Sequence, residues 1–544
     1  MEETVSEEHM TRRRPVLAFF GLAAVVLAAI AVRASVQFGT GLMPGMNGAY
    51  YLVQVRAVIE KGHLAEHDMP LIFWLQAGLA RLVQALSTLT LESSIVLASK
   101  LFDSIVPALA AIPAFLLAVR WPGGRHSVWA GIAAATLAVL SLGPLRMVGD
   151  FQKNALGMLW VLSCAYCLQQ GLDRRSWRYL AAAGMFLALV GITHIGAFGV
   201  TLALVVLVVL AWALLASGGS RRALLAIGGV AVGVAGLLGL LMILGDSARI
   251  TRLMTFLATP LSLFRSSAIG GSARVGTWLR LQDSQTFILS LVLSLAAGAV
   301  LIWHRHEIQP WERALVVASA VLTLFLSSPF LSQDMSSRFQ LMAFAPAVIL
   351  VGFLAARSGM LALRSAVVIG VIAVVLATVP ATVRSPNGPS IVEASYTELA
   401  SLQIAITHPS HTLIIARHGL EWWAAWALHT DVAQGTAVTD EDWTTYTSVL
   451  YLQETGNSIG GGMGAPGMNV KPQLPSGFTP PRQIPNGTPP VRPGFTPGTT
   501  GPQRGGFGGL TLPADASTLH SGTYFTLSNL PTPVTAPVNP GGGL

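Results

Sequence analysis

The amino-acid sequence predicts a mainly α-helical polytopic membrane protein with about eleven transmembrane helices and a small extracytoplasmic α/β domain towards its C-terminal end. Three observations lead there. Of the 544 residues, 52% are hydrophobic and only 11% charged, whereas a soluble domain carries about a quarter charged residues. The apolar residues gather in runs that match the thickness of a bilayer, about 17–25 residues each. The arginines between those runs recur in every second loop, as they do when basic residues are retained on the cytoplasmic side.

The first run, Pro15–Arg33, follows Arg12, Arg13 and Arg14. It is too long for the apolar centre of a signal peptide and shows no small-residue cleavage site, so it reads as an uncleaved span. The next runs are Ile95–Val119, Val128–Leu142, Ala155–Leu168, Tyr179–Ile192 and Ala197–Leu215. Leu224–Leu244, Thr286–Trp303, Ala314–Ser327, Leu341–Ala355 and Ala366–Val379 complete the set. The basic loops hold Arg12/Arg13/Arg14, Arg120/Arg125, Arg174/Arg175/Arg178, Arg221/Arg222, Arg305/Arg313 and Arg357/Arg364. With an odd number of crossings this places the N-terminus in the cytoplasm and the C-terminal domain outside a plasma (inner) membrane. The net charge of +8 is then mainly a topology signal, and a nucleic-acid partner is excluded. Cys164 and Cys167, the only cysteines, share a helix face as packed thiols and do not suit a disulfide.

The organisation that follows is a cytoplasmic N-terminus (1–14), a transmembrane domain (15–380) and an extracytoplasmic cap (381–455). A Gly/Pro-rich insert (456–516) and the end of the cap (517–544) complete it. In the insert, 26 of the 55 residues from Gly456 to Leu510 are Gly or Pro, a composition that marks disorder. In the cap, Thr412–Ala416 reads as a buried strand, His418–Trp423 as the entry to a helix, Asp440–Glu454 as an amphipathic helix, and Tyr524–Leu527 as a returning strand. The long first outside loop (34–94) carries two amphipathic pieces. Tyr50–Glu60 reads as an interfacial helix ending near Gly62, and Pro70–Leu86 as a second helix on or re-entering the membrane.

Polar residues in or beside spans are costly and mark function, and in this topology they gather on the outside. The first loop holds Asn47, Tyr50, Tyr51, Arg56, His63, His67 and Asp68; the second holds Arg146, Asp150 and Lys153. His194 closes a later turn, and Arg338 follows Asp334 at the outer end of a span. Arg249, Arg252, Arg265, Arg274 and Arg280 also stay outside, which points to an anionic ligand. Each residue has a plainer reading. Asp150 and Asp68 stand where carboxylates cap helices, and His194 can close a turn. Tyr50 and Tyr51 suit interfacial anchors. Arg56 and Glu60 have the spacing of a helical ion pair, Lys100 and Asp103 can neutralise each other, and Trp422, Trp423 and Trp426 suit a core.

The segment Asn47-Gly48-Ala49-Tyr50-Tyr51, followed by a helix carrying Arg56 and a Pro70-containing helix, resembles the GT-C class of membrane glycosyltransferases. That class includes oligosaccharyltransferase catalytic subunits, protein O-mannosyltransferases and lipid A aminoarabinose transferases. Arg146 and Asp150 in the second loop and Arg338 near the end of a span extend the resemblance over about residues 10–380. It implies transfer of a sugar from a polyprenyl-phosphate-linked donor to an envelope acceptor on the extracytoplasmic face, with membrane lipids as surroundings. Asn47 stands where the class has its catalytic aspartate, and an amide is a poor base. The resemblance therefore passes the carboxylate role to Asp68 or Asp150, with a divalent metal on either as an open alternative. Tyr50, Arg56, His63, Arg146, Lys153, His194 and Arg338 are the substrate-binding candidates, Arg338 for the lipid-linked phosphate because its planar fork fits phosphate oxygens. A transporter or flippase of a lipid-linked precursor and a non-catalytic membrane scaffold are the rival readings.

Overall fold

The computed structural model of the chain describes residues 2–121, 127–215, 281–331, 333–357, 361–384, 386, 388–434, 438, 440–455 and 515–531. The expected span Leu224–Leu244, Arg125, Arg221, Arg222, the outside arginines 249, 252, 265, 274 and 280, and all but the last two residues of the Gly/Pro-rich insert lie outside them. The chain divides into two compact units, Met1–Gly388 and Pro389–Leu544.

Among the described residues of the first unit, the regular elements are helices. α1 (Glu2–Gln37) leads into a first loop bearing α2 (Gly48–Lys61) and α3 (Leu71–Leu86). α4 (Leu91–Ile105) and α5 (Ala111–Val119) form one span, interrupted by a 3-10 turn at Pro107–Ala110, where proline lacks the N–H that a continuous helix needs. α6 (Ser127–Leu140) and the short α7 (Leu142–Arg146) precede α8 (Gln152–Arg174), α9 (Trp177–Gly191) and α10 (Ile195–Leu215). Then come α11 (Leu281–Trp303), α12 (Pro310–Leu326), α13 (Gln333–Gln340), α14 (Phe344–Arg357) and α15 (Leu361–Arg384).

Among the described residues, eight helical stretches are long and apolar enough to cross a membrane: 16–37, 91–119, 128–146, 152–174, 195–215, 286–303, 336–357 and 365–384. Two further expected spans are helices of 15 and 17 residues, α9 and α12. The outward residues are apolar, as a lipid environment requires: Phe19, Phe20, Leu27, Val292, Leu295, Ile369 and Leu376 are exposed. Inside the helices, hydroxyls turn back onto their own backbone, Thr201 donating to Ala197 O at 2.8 Å and Thr323 to Ser319 O at 2.7 Å. No polar group of these side chains is then offered to hydrocarbon.

Two expectations for this unit are corrected. α2 starts at Gly48, earlier than expected, and stops where expected, at Gly62 with φ +75°, but protein covers it where an interfacial helix was expected to face lipid and water. Ten of its fourteen residues, Tyr51, Gln54 and Arg56 among them, are buried, because α3 and α4 cover it. Lys100 and Asp103 do not neutralise each other. Asp103 pairs with Arg33 at 2.7 Å, while Lys100 Nζ donates to Thr40 O and Gly41 O at 2.6 and 3.3 Å. Helical spacing brings two side chains to one face, but partners on neighbouring helices decide the pairing.

Among the described residues of the second unit, five strands form a mixed sheet in the order β2-β1-β3-β5-β4. β1 (Thr412–Ala416) lies between β2 (Asp431–Gln434) and β3 (Ser448–Glu454), parallel to both. β5 (Phe525–Leu530) is antiparallel to β3 and to β4 (Ser517–Ser521). α16 (Glu393–Ser401), α17 (Glu421–Leu428) and α18 (Asp440–Thr445) complete it. Trp423 and Trp426 of α17 are buried and Trp422 half-buried, so this aromatic group is mainly core. The helix expected over Asp440–Glu454 is corrected. Only its first six residues are helical, and Val449–Leu452 form the buried centre of β3. The run Val-Leu-Tyr-Leu suits a strand covered on both faces.

Candidate functional site

The site is assembled where α1 and α6 end and α8 and α10 begin. Two loops interlock there, 38–47 after α1 and 147–151 before α8. Gly45 and Gly149 have φ of +88° and +81°, a region that glycine enters without strain. A Cβ on Gly45 would stand 2.7 Å from Asp150 N, and one on Gly149 would stand 2.6 Å from Pro44 O. The bare glycines therefore let one backbone press against the other.

That contact sets Asp150 beside Asn47. The backbone N–H and the side-chain amide of Asn47 both donate to Asp150 Oδ1, at 2.8 and 2.9 Å. Tyr51 donates its phenol to Asp150 O at 3.4 Å and accepts Lys153 N at 3.3 Å. Burial pushes the Tyr51 phenol well above its ordinary range, and the nearby Asp150, Asp68 and Asp103 carboxylates add to that, so Tyr51 is a neutral donor. Asp150 does not cap α8: the capping position is Phe151, without a side-chain bond. The capping interpretation is replaced by a loop-to-loop one.

Asp68 has a buried carboxylate. Its Oδ2 accepts from Tyr50 Oη and forms an ion pair with Lys153 Nζ, and its Oδ1 accepts Met69 N at 2.6 Å. The Lys153 ammonium also lies 5.1 and 5.9 Å from the ring centres of Tyr50 and Phe73, where ring faces favour a cation. Gln54 ties the segment down, donating to Tyr50 Oη at 3.1 Å and Glu66 O at 2.9 Å. Asp68 therefore anchors its loop to α8 and does not cap α3, whose capping residue is Pro70. Tyr50 and Tyr51 are not interfacial anchors: Tyr51 is 2% exposed and Tyr50 is half-buried against Tyr51 and Phe73.

The remaining candidates lie elsewhere in the first unit. Arg56 is buried, its guanidinium 3.8 Å from Glu92 Oε1. His63 is exposed on the loop after α2, its Nδ1 2.9 Å from Leu64 O. Arg146 is half-buried in the last turn of α7. His194 accepts Ala197 N at 3.1 Å, capping α10 as the turn-closing reading expects. That turn touches the first loop, because Leu71 N donates to Ile192 O at 3.3 Å. Arg338 is exposed on α13. The backbone just after it reaches the second loop, with Leu341 O 2.7 Å from the place of a Cβ on Gly143. Asn47, Asp68 and Asp150 thus converge through Tyr50, Tyr51 and Lys153, while Arg338 stands on a neighbouring segment.

Sequence reasoning singled out Asp103 but missed its partners and the other buried polar residues that brace the centre. Arg33, Gln37 and Asp103 form one buried group, and Gln76 donates to Gln152 at 2.7 Å, which in turn donates to Gly149 O at 3.2 Å. Buried polar side chains inside apolar runs were the available signal. A resident metal fits the centre poorly. Asp68 is already neutralised by Lys153, and among the described residues no three of His, Cys, Asp and Glu gather to hold one.

Fold and site together define a polytopic helical membrane protein with an acidic and basic cluster built by two loops at one end of its helices. No protein-family model matches the chain, and no curated protein matches it. Among solved structures it is similar to ArnT from Cupriavidus metallidurans, whose structure is bound to undecaprenyl phosphate. The identity is 13% and the TM-score 0.47, over 79% of this chain and 92% of that one.

Proposed function

We propose that the chain is an integral membrane glycosyltransferase that moves a sugar from a polyprenyl-phosphate-linked donor to an envelope acceptor on the extracytoplasmic face. In this reading the N-terminus lies in the cytoplasm of the plasma membrane and the interlocked loops face outward. The observation that carries it is the bond between Asn47 and Asp150. The residue standing at the place of the class aspartate is not idle, since both of its donors orient a carboxylate from the second loop.

Asp150 is then the base that takes the proton of the acceptor's attacking group, and Asn47 is a positioning residue. Both Asn47 donors meet one oxygen of this carboxylate, the kind of group that takes a proton as a general base. Lys153, ion-paired with Asp68, and Arg338, exposed on α13, offset the charge left on the phosphate as the sugar departs. Arg146, Arg56, His63 and His194 are the further substrate-binding residues of this reading. The test is sugar transfer in membranes supplied with purified polyprenyl-linked donors, comparing wild type with Asp150→Ala and Arg338→Ala. Loss of transfer in both supports the assignment, and unchanged turnover in both overturns it.

A further inference from the structure

Arg33–Asp103 is the most deeply buried of the ion pairs described in the first unit, at 1% and 0% exposure. Its two poles are both spent on the segment that precedes Asp150. Arg33 holds Asp103 through Nη2 to Oδ1 at 2.7 Å and through Nε to the backbone O at 2.6 Å. Its remaining arm, Nη1, donates to Pro144 O at 3.1 Å. On the other pole, Asp103 Oδ2 accepts Gly149 N at 2.9 Å and Gln37 Nε2 at 2.5 Å. The cation therefore grips the start of the segment 144–149 and the anion grips its end. Gly149 is the residue before Asp150, and its φ of +81° is the turn that faces Asp150 towards Asn47.

A second buried pair in the same unit shows the contrast. Arg357 Nη2 donates to both oxygens of Glu312 at 2.9 Å, and Glu312 also closes a capping box at the start of α12. That pair joins two helices and reaches no loop of the site. Burying an ion pair gains little stability over packed apolar side chains, so a pair whose poles both bind one loop has a use that stability alone does not supply.

We propose that Arg33 and Asp103 are positioning residues that clamp residues 144–149 and so fix the direction of Asp150. The inference rests on the transferase reading only where it concerns turnover; the clamp itself is read separately. The test compares wild type, the apolar double variant Arg33→Met/Asp103→Leu and the isosteric Asp103→Asn in purified full-length protein. Amide hydrogen exchange is followed in peptides covering 144–153, alongside thermal unfolding and transfer kinetics. The expected result is exchange at least about tenfold faster in 144–153 in the double variant, with the unfolding temperature close to wild type. Turnover falls about tenfold or more while KM for the lipid donor holds, because the binding groups stay in place. If the double variant does not fold, Asp103→Asn carries the exchange and turnover comparison, since one amide oxygen cannot serve Gly149, Gln37 and Arg33 together; its unfolding temperature is expected to fall, because Arg33 loses its buried counter-charge. Unchanged exchange in 144–153 overturns the clamp. Faster exchange with wild-type turnover overturns its part in positioning. A wild type that transfers no sugar overturns the function reading, and the exchange result still decides the clamp.

Discussion

Asn47 and Asp150 lie 103 positions apart in sequence, yet both donors of Asn47 reach the same oxygen of Asp150, at 2.8 and 2.9 Å. An amide suits this place because it donates. A carboxylate there would face Asp150 as a like charge, which forces the two to share a proton.

The first prediction reverses the obvious repair. Asn47→Asp lowers transfer at neutral pH and does not raise it. In the folded variant one carboxyl of the pair titrates above its unfolded value. The stability linked to that proton is therefore present below the unfolded carboxylate range of about 4 and is lost as pH rises through the folded pKa. Thermal unfolding followed between pH 5 and 8 should show the variant losing stability relative to wild type as pH rises. A variant that out-turns wild type at neutral pH would contradict this.

Removing the carboxylate itself has a larger effect on rate. Asp150→Asn keeps the volume but not the base, and turnover falls by about 10²–10⁴-fold, with the lipid donor's KM little changed. Single-turnover transfer assays measure it.

Lys153→Met takes the ammonium away from the buried Asp68 carboxylate with which it forms an ion pair. Removing one partner of a buried pair costs about 3–5 kcal/mol. A large fall in the denaturation midpoint is expected, and Asp68→Asn introduced together with Lys153→Met should restore much of it.

Gly149→Ala tests the interlock. An added Cβ meets Pro44 O at 2.6 Å, and the residue is held at φ +81°. The left-handed conformation alone costs about 1–2 kcal/mol, so the unfolding temperature drops, and transfer drops with it because Asp150 is the next residue. Gly78→Ala is the control, since nothing lies within 4 Å of its added Cβ and its φ is not positive.

The Tyr51 phenol titrates well above its usual value near 10.0 because it is buried. A folded pKa raised above the unfolded one gives stability that is complete below about pH 10 and is lost as pH climbs towards the folded value. Tyr51→Phe should therefore flatten the decline in stability above pH 10 while costing some stability below it. An identical alkaline slope in the two proteins would show that Tyr51 is not the group responsible.

What could be read along the chain is what depends on local composition. A run such as Ala197–Leu215 must be a lipid-facing helix, because no other conformation satisfies its backbone in hydrocarbon, and it folds as α10. Gly62 ends α2 as expected for the same local reason, a left-handed turn open to glycine. The polar residues of the two loops were visible because charge is rare in this sequence. Their partners were not. Arg33 meets Asp103 across 70 positions, Lys153 meets Asp68 across 85, and Gln76 meets Gln152 across 76. Only the packing of α1, α3, α4 and α8 brings them together. The same holds for α2, whose amphipathic pattern fits an interface equally well until α3 and α4 cover it, and for β3, whose neighbours β1 and β5 draw Ser448–Glu454 out of a helix. Transfer of apolar groups from water is a property of each segment and is written in its residues. The choice of which buried polar group satisfies which other belongs to the tertiary structure, where an unmatched donor or charge is too costly to leave.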